Sequence, residues 1–205
     1  MMWRSIWFTS LAVAAYSLCI LEVRANDWPA CEDDNPDVSI AGCTKIIKAG
    51  NQPVRNIAGA HFFRGNSYLS KGDNKRAIAD YSKAIKLNSN DADFYSNRGV
   101  AYFNIKDFDR AIADASKSIA IKPKNPGSFN NRANAYLNKG DPGRAIEDYT
   151  RAIELGPDDA DYYANRGYVY FLQLENDKAL VDYRKAVELQ PENEVAKSGL
   201  RMLGQ

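Results

Sequence analysis

A short motif recurs along this chain at one fixed interval, and that interval restricts the possible folds more than any other feature. Four arginines, Arg64, Arg98, Arg132 and Arg166, are separated by identical steps. An asparagine precedes three of them, and a glycine or alanine follows all four. A second motif, Ala-(Ile/Leu)-x-Asp, begins at a constant distance after each arginine. Self-similarity at a fixed period of this kind indicates a repeat array whose units stack on their neighbours.

Each unit contains two blocks of apolar and small residues at helical spacing, such as those spanning 94–103 and 108–119. Asp73, Asp107 and Asp141 precede the second blocks and are predicted to cap those helices, with Pro142 in a first turn. Turn-forming residues separate the units at 88–90, 122–125 and 156–159, and at Pro191. We therefore predict an all-α fold of antiparallel helix pairs.

The aromatic, glycine, alanine and proline positions of each unit resemble those of the tetratricopeptide repeat (TPR) family. In the last unit these positions are Tyr163, Gly167, Tyr170, Ala179, Tyr183, Ala186 and Pro191. The resemblance covers residues 58–193. It departs at Ala133 for the glycine, Ala115 for the second aromatic residue and Ser89 for the proline. It implies a right-handed superhelical solenoid of four repeats, 58–91, 92–125, 126–159 and 160–193, with a capping helix in 194–205.

The first 25 residues have the pattern of a secretory signal peptide. A positive start is followed by an apolar run over 6–21 and by Val23-Arg24-Ala25, so cleavage is predicted after Ala25 and the protein is expected to be periplasmic or secreted. A retained anchor is an alternative, although the run is short for a membrane span. A lipoprotein cysteine at Cys19 is another, and bulky Leu18 fits it poorly.

Residues 26–57 are predicted to form an N-terminal half-repeat that caps the array. Cys31 and Cys43 read as a disulfide in an exported chain, with two free thiols as the alternative. Residues 39–48 have helical periodicity and echo the second helix of a unit, but the distance to their counterpart is slightly longer than one period. The four extra residues are assigned to 50–53, and Trp28 is expected to cover the exposed end.

An aspartate follows each repeat arginine at a constant distance. The pairs are Arg64 and Asp80, Arg98 and Asp114, Arg132 and Asp148, and Arg166 and Asp182. We predict one partly buried ion pair per unit, which sets the register of the two helices. The alternative is a basic ladder for carboxylates or phosphates, which the matched aspartates disfavour.

The first helices are expected to line the concave side of the superhelix, where Asn97, Asn131 and Asn165 recur. An amide offers one acceptor and two donors, so such a row can hold an extended peptide by its backbone. This is similar to the asparagine ladder of long superhelical TPR domains. Alternatively, the amides satisfy neighbouring helix ends or face water. The other predicted groove residues are Asn66, Asn130, Asn134, Phe62, Val100 and Tyr168, with Phe103 and Phe171 deeper.

One known use of the family is disfavoured. TPR domains that clamp a chaperone's C-terminal carboxylates carry lysines beside the asparagines. Here the place of the first such lysine is taken by Phe62, Ser96, Asn130 and Ala164.

Composition excludes several classes of function. The formal net charge of +1, which becomes zero without residues 1–25, gives no reason to expect nucleic acid or an anionic membrane as partner. We recognise no cofactor, small-molecule or metal motif, and His61, the only histidine, has no recognisable orienting carboxylate. The chain is therefore interpreted as a non-enzymatic scaffold that binds a protein or extended peptide. The alternative is a structural subunit of a cell-envelope complex that binds through its ends or convex face.

Overall fold

The structure is a computed structural model that describes residues 27–205, and within this range it contains eleven α-helices and no strand. The helices are α1 Asp27–Cys31, α2 Pro36–Ala49, α3 Val54–Ser70, α4 Asn74–Leu87, α5 Ala92–Asn104, α6 Phe108–Ile121, α7 Pro126–Asn138, α8 Pro142–Leu155, α9 Ala160–Leu172, α10 Asn176–Leu189 and α11 Glu194–Met202. Helices α3 to α10 form four consecutive pairs, which confirms the all-α helical-hairpin prediction. The predicted signal peptide lies outside the described residues.

Local sequence determines where the second helix of each of the first three pairs begins. Asp73, Asp107 and Asp141 accept the backbone N–H three residues ahead, at 3.0, 3.2 and 3.1 Å, as predicted for N-cap residues. The turn before each aspartate contains a residue with positive φ. It is glycine at Gly72 and Gly140, but Lys106 occupies the same conformation with φ of 62°.

The first helices also have caps at a constant interval. Asp91, Asn125, Asp159 and Asn193 each accept a backbone N–H of the following turn. Since Asn193 follows Asp159 by one full period, α11 starts in step with α5, α7 and α9. The predicted capping helix is thus the first helix of a fifth unit that has no second helix among the described residues.

The core between paired helices consists of tyrosine rings and alanines. Tyr81, Tyr149 and Tyr183 are fully buried, and each packs in a cluster with alanines of its own unit. Small residues let the helix backbones approach closely, and the burial of aromatic rings supplies much of the hydrophobic stabilisation. This pattern repeats along the array and has one interruption, at Ala115 in the second unit.

A disulfide closes the N-terminal end of the array. Cys31 of α1 and Cys43 of α2 are bonded, with Cα atoms 4.5 Å apart, and both are fully buried with Ile46 and Ala60. Trp28 packs against this cluster, as the sequence predicted. Helix α2 ends at Ala49, and Gly50 caps it with a φ of 64°. The assignment of the four extra residues to 50–53 is wrong, because this connection is no longer than those between the later units. They extend α3, which has 17 residues where α5, α7 and α9 have 13.

Candidate functional site

The predicted groove asparagines connect neighbouring repeats through side-chain hydrogen bonds. The Asn97 Nδ2 donates to Asn66 Oδ1 at 2.9 Å, and the Asn165 Nδ2 donates to Asn130 Oδ1 at 3.1 Å. The Asn131 Nδ2 donates to the Ser96 hydroxyl at 3.3 Å. Each bond joins one first helix to the first helix of the preceding unit. We call the surface formed by these positions on α3, α5, α7 and α9 the groove.

This arrangement combines the two alternatives considered for the asparagines. The amides do satisfy neighbours, but those neighbours are other groove side chains and not helix ends. An amide nitrogen carries two N–H donors, so a single hydrogen bond to a neighbour leaves capacity for a ligand. Because Asn97, Asn131 and Asn165 are half-buried, their positions are held by the fold. Three separate hydrogen bonds therefore link the first helices of the four units.

Two core tyrosines orient a further pair of groove amides. The Tyr81 hydroxyl donates to Asn66 Oδ1 at 2.8 Å, and the Tyr149 hydroxyl donates to Asn134 Oδ1 at 2.6 Å. Burial raises the pKa of both tyrosines well above the usual range, so both remain neutral donors. The hydrogen bonds draw the amide oxygens of Asn66 and Asn134 towards the core.

The last repeat lacks this hydrogen bond. Tyr168 stands where Asn66 and Asn134 stand in their units, and it is 41% exposed. Among residues 27–205, the buried hydroxyl of Tyr183 has no hydrogen-bond partner. Burial, with smaller contributions from Tyr168 and Asp182, raises the pKa of Tyr183 to about 12. The tyrosine–asparagine hydrogen bond is therefore present in the first and third units.

The remaining predicted groove residues divide between packing and an open cavity. Phe62 is engaged in the core, with its ring centroid 5.0 Å from that of Phe94 and 6.0 Å from that of Tyr81. By contrast, a cavity of about 240 Å³ opens beside the second unit. It is lined by Gly99, Val100, Phe103, Asn104, Ala111, Asn131 and Asn134.

The four arginine–aspartate pairs are present and make two hydrogen bonds each. In the second unit, Arg98 Nε lies 2.7 Å from Asp114 Oδ2, and Nη2 lies 2.8 Å from Oδ1. The same arrangement recurs in the other three units. The hydrogen bonds that Arg98 donates to Asp114 raise the pKa of Arg98 further, so the charge is permanent. Guanidinium groups engaged in this way are poorly suited to the alternative basic ladder.

Sequence reasoning missed a second partner of each arginine, a hydroxyl on the second helix of the preceding unit. Arg98 Nη1 donates to Ser82 Oγ at 3.0 Å, and Arg64 Nη1 donates to Thr44 Oγ1 at 2.9 Å. Ser116 and Thr150 serve the next two arginines. The signal was present, since Ser82, Ser116 and Thr150 recur with the same period as the arginines. Each arginine therefore ties two units together.

The sequence-based view of His61 was wrong in one respect, because the fold supplies an orienting carboxylate. His61 Nδ1 lies 2.8 Å from Asp80 Oδ1, and the two are 19 residues apart in the chain. Burial alone would raise the pKa of Asp80, but its hydrogen bonds with Arg64 and His61 lower it below the ordinary value. Since Arg64 already neutralises this carboxylate, His61 adds to a structural ion pair.

In residues 27–205, no group of three or more histidine, cysteine or acidic side chains is placed to hold a metal ion. Over the same range, no helix combines the length and apolar character needed to cross a bilayer.

Comparison with known families agrees with the geometry. A TPR repeat profile matches residues 65–106, and two tetratricopeptide repeat profiles match 92–125 and 130–194. The chain belongs to the tetratricopeptide repeat family. A search of curated proteins gave no significant match.

Three solved structures illustrate the likeness. A crystal structure of MamA is 25% identical with a TM-score of 0.68, over 77% of this chain and 90% of that one. YrrB, described as a TPR protein with an unusual peptide-binding site, is 20% identical with a TM-score of 0.67, over 81% and 84%. The first TPR of Spaghetti (RPAP3), bound to the HSP90 peptide SRMEEVD, is 31% identical with a TM-score of 0.54, over 56% and 90%. The repeat architecture is thus shared with MamA and with two proteins described with a peptide-binding site or a bound peptide.

Proposed function

We propose that this protein is an exported, non-enzymatic scaffold that holds an extended segment of a partner protein in its groove. The observation that carries this proposal is the row of amides of Asn97, Asn131 and Asn165, each linked to the preceding first helix. Peptide backbones present N–H and C=O groups at regular spacing, and an amide can pair with either. A row of amides fixed by the fold can therefore bind backbone without ordering itself first.

The chemistry of the groove favours a segment that is not strongly charged. None of the predicted groove residues carries a formal charge, and the nearby arginines are engaged with aspartates. The HSP90 peptide bound in the RPAP3 structure, SRMEEVD, contains consecutive glutamates and ends in aspartate. This chain lacks a lysine at Phe62, Ser96, Asn130 and Ala164, so we expect a different ligand class, recognised mainly through its backbone.

The test is the triple variant Asn97→Ala/Asn131→Ala/Asn165→Ala. The amount of partner protein that it captures from the cell envelope is compared with the amount captured by the wild type. Each amide–backbone hydrogen bond contributes about 0.5–1.5 kcal/mol, so losing three should weaken binding by at least about tenfold. The matched control is Asn51→Ala/Asn90→Ala/Asn176→Ala, which removes three exposed amides that lie outside the groove. Unchanged capture by the groove variant would show that the groove amides do not bind the partner.

Export is proposed from the N-terminal pattern and is supported by the Cys31–Cys43 bond, because disulfides persist in oxidising compartments. Mass spectrometry of the protein recovered from the envelope should give a mature chain that starts at Asn26. A start elsewhere, or free thiols at Cys31 and Cys43, would contradict this part of the proposal.

The second candidate is a structural subunit of an envelope complex that binds through its ends or convex face. Exposed apolar side chains on α11, those of Val195 and Met202, favour it. Removal of the groove amides should leave assembly into such a complex unchanged. The two functions are therefore separated by the same triple variant.

A further inference from the structure

The second unit lacks the ring that fills the core of the others. Tyr81, Tyr149 and Tyr183 are fully buried at equivalent places, and Ala115 stands at that place in the second unit. Ala115 was interpreted from the sequence as a tolerated departure from the family pattern. In the structure no tyrosine ring lies at this place between α5 and α6, and the shape of the groove changes as a result.

The small residue on the facing helix shows that no other ring replaces the missing one. A Cβ built on Gly65 would lie 2.7 Å from Tyr81 Cε1, and one on Gly167 would lie 3.0 Å from Tyr183 Cδ1. A Cβ on Gly99 would meet no ring, and its nearest neighbour would be the Ala111 carbonyl oxygen at 3.4 Å. Asp114 Cβ lies at the same distance, so a contact with α6 stands where the other units have the tyrosine ring.

Gly99 belongs to the lining of the cavity of about 240 Å³, together with Val100, Phe103 and Ala111, and with Asn104, Asn131 and Asn134 at its polar side. An apolar cavity of about 150 Å³ in another protein is known to bind benzene, so this one is large enough for an aromatic ring. We call it the anchor pocket.

The change at Ala115 is matched by a second change on α5. In the first and third units, the tyrosine hydroxyl donates to Asn66 or Asn134. Val100 takes that asparagine's place in the second unit, so donor and acceptor are both absent. Loss of the tyrosine alone would have left an amide oxygen without its buried donor. With both changed, the pocket has an apolar wall.

We infer that the anchor pocket receives one aromatic side chain, a phenyl or phenol ring, of the segment held in the groove. The inference rests on the proposed function. The ring would occupy the volume that Tyr81 and Tyr149 fill in the neighbouring units, in contact with Gly99, Val100 and Phe103. Burial of an aromatic ring gives a large favourable contribution, while Asn131 and Asn134 at the rim bind the adjoining backbone. Recognition then combines backbone binding along the groove with selection at one position.

The test restores the missing pair with Ala115→Tyr/Val100→Asn, which reproduces the combination found in the first and third units. This variant should fold with a Tm equal to or above that of the wild type. The probes are p-cresol and a capped pentapeptide, Gly-Gly-Tyr-Gly-Gly, titrated into labelled protein by two-dimensional NMR. In the wild type we expect saturable shifts at the Gly99 and Ala111 amides, weakened at least tenfold in the variant.

Two controls test whether the pocket and the aromatic ring are responsible for binding. Ala113→Tyr adds the same ring at an exposed position on α6 and should bind the probes like the wild type. The pentapeptide with alanine in place of tyrosine should not shift Gly99. Equal binding by the wild type and the filled variant, or no saturable shift in the wild type, would overturn the inference.

Failure of this inference differs from failure of the proposed function. If p-cresol leaves Gly99 unshifted while the triple asparagine variant loses partner capture, the anchor pocket is wrong and the groove function stands. If partner capture survives removal of the three asparagines, the groove function is wrong and the peptide role of the pocket falls with it, whatever p-cresol does.

Discussion

Asn97, Arg98 and Gly99 are consecutive in the chain, yet they face three different surroundings. The Asn97 amide donates a hydrogen bond to Asn66 in the groove. Arg98 donates hydrogen bonds to Asp114 of its own unit and to Ser82 of the preceding one. Gly99 lies at the base of the anchor pocket. Because one helical turn has 3.6 residues, successive positions point in directions about 100° apart. A three-residue motif can therefore combine a hydrogen bond in the groove, a contact between repeats and a close approach of two helices.

The tyrosine hydroxyls give a prediction at the residue scale. Tyr149→Phe removes a hydrogen bond to Asn134 and should lower the free energy of unfolding by about 0.5–1.5 kcal/mol. Tyr183→Phe removes a buried hydroxyl that has no partner within residues 27–205, so it should be neutral or stabilising. Urea denaturation of the two variants measures the difference. Equal destabilisation would mean that Tyr183 gains a partner that the described residues do not supply.

At the scale of elements, each terminal helix docks through a glycine. A Cβ on Gly42 of α2 would lie 2.7 Å from backbone atoms of Ala30 and Cys31, so α1 can pack only against a glycine there. A Cβ on Gly199 of α11 would overlap the Tyr183 ring. The two end elements thus approach the array more closely than a larger residue would permit.

The docking of α11 leads to an element-scale prediction with an internal control. Gly199→Ala forces the buried Tyr183 ring or the helix to move, so it should destabilise the protein by about 1–3 kcal/mol. Gly59→Ala lies within α3 with no atom near the new methyl group, and should stabilise by about 0.5–1 kcal/mol. Thermal unfolding followed by circular dichroism distinguishes the expected fall in Tm for Gly199→Ala from the expected rise for Gly59→Ala. A stabilising Gly199→Ala would show that α11 is not held against Tyr183.

Helix boundaries were largely predictable from the sequence, while the contacts between units were not. Asp73, Asp107 and Asp141 cap helices through atoms three residues away, so their role is visible in a short window. His61 and Asp80 are 19 residues apart, and no short-range pattern joins them. The anchor pocket depends on Val100, Ala115 and Asn131 together, and these residues lie on three different helices.

For the whole molecule, repeat architecture means that each unit contacts mainly its neighbours, so stability is distributed along the array. The Cys31–Cys43 bond acts at one end only. The loop that it closes is short, and chain entropy predicts a contribution of about 3 kcal/mol for a loop of this size.

The corresponding prediction concerns where stability is lost. In Cys31→Ser/Cys43→Ser, amide hydrogen exchange should accelerate in α1, α2 and α3 and stay unchanged in α7 to α10, because stabilisation passes only between neighbouring units. Hydrogen exchange followed by mass spectrometry measures both regions in one sample, and reduced wild-type protein should behave like the variant. Uniform acceleration along the chain would mean that the array unfolds as a single cooperative unit.

The sequence by itself determined the period, the two helices of each unit, their caps and the family, because these depend on residue spacing within one unit. It also located the row of asparagines. Only the tertiary structure decided that these amides bond to side chains of the preceding first helix, that the arginines reach hydroxyls of the preceding unit, and that Ala115 opens a pocket. Those properties arise where side chains of adjacent units meet, and their distances depend on how one helix pair packs on the next.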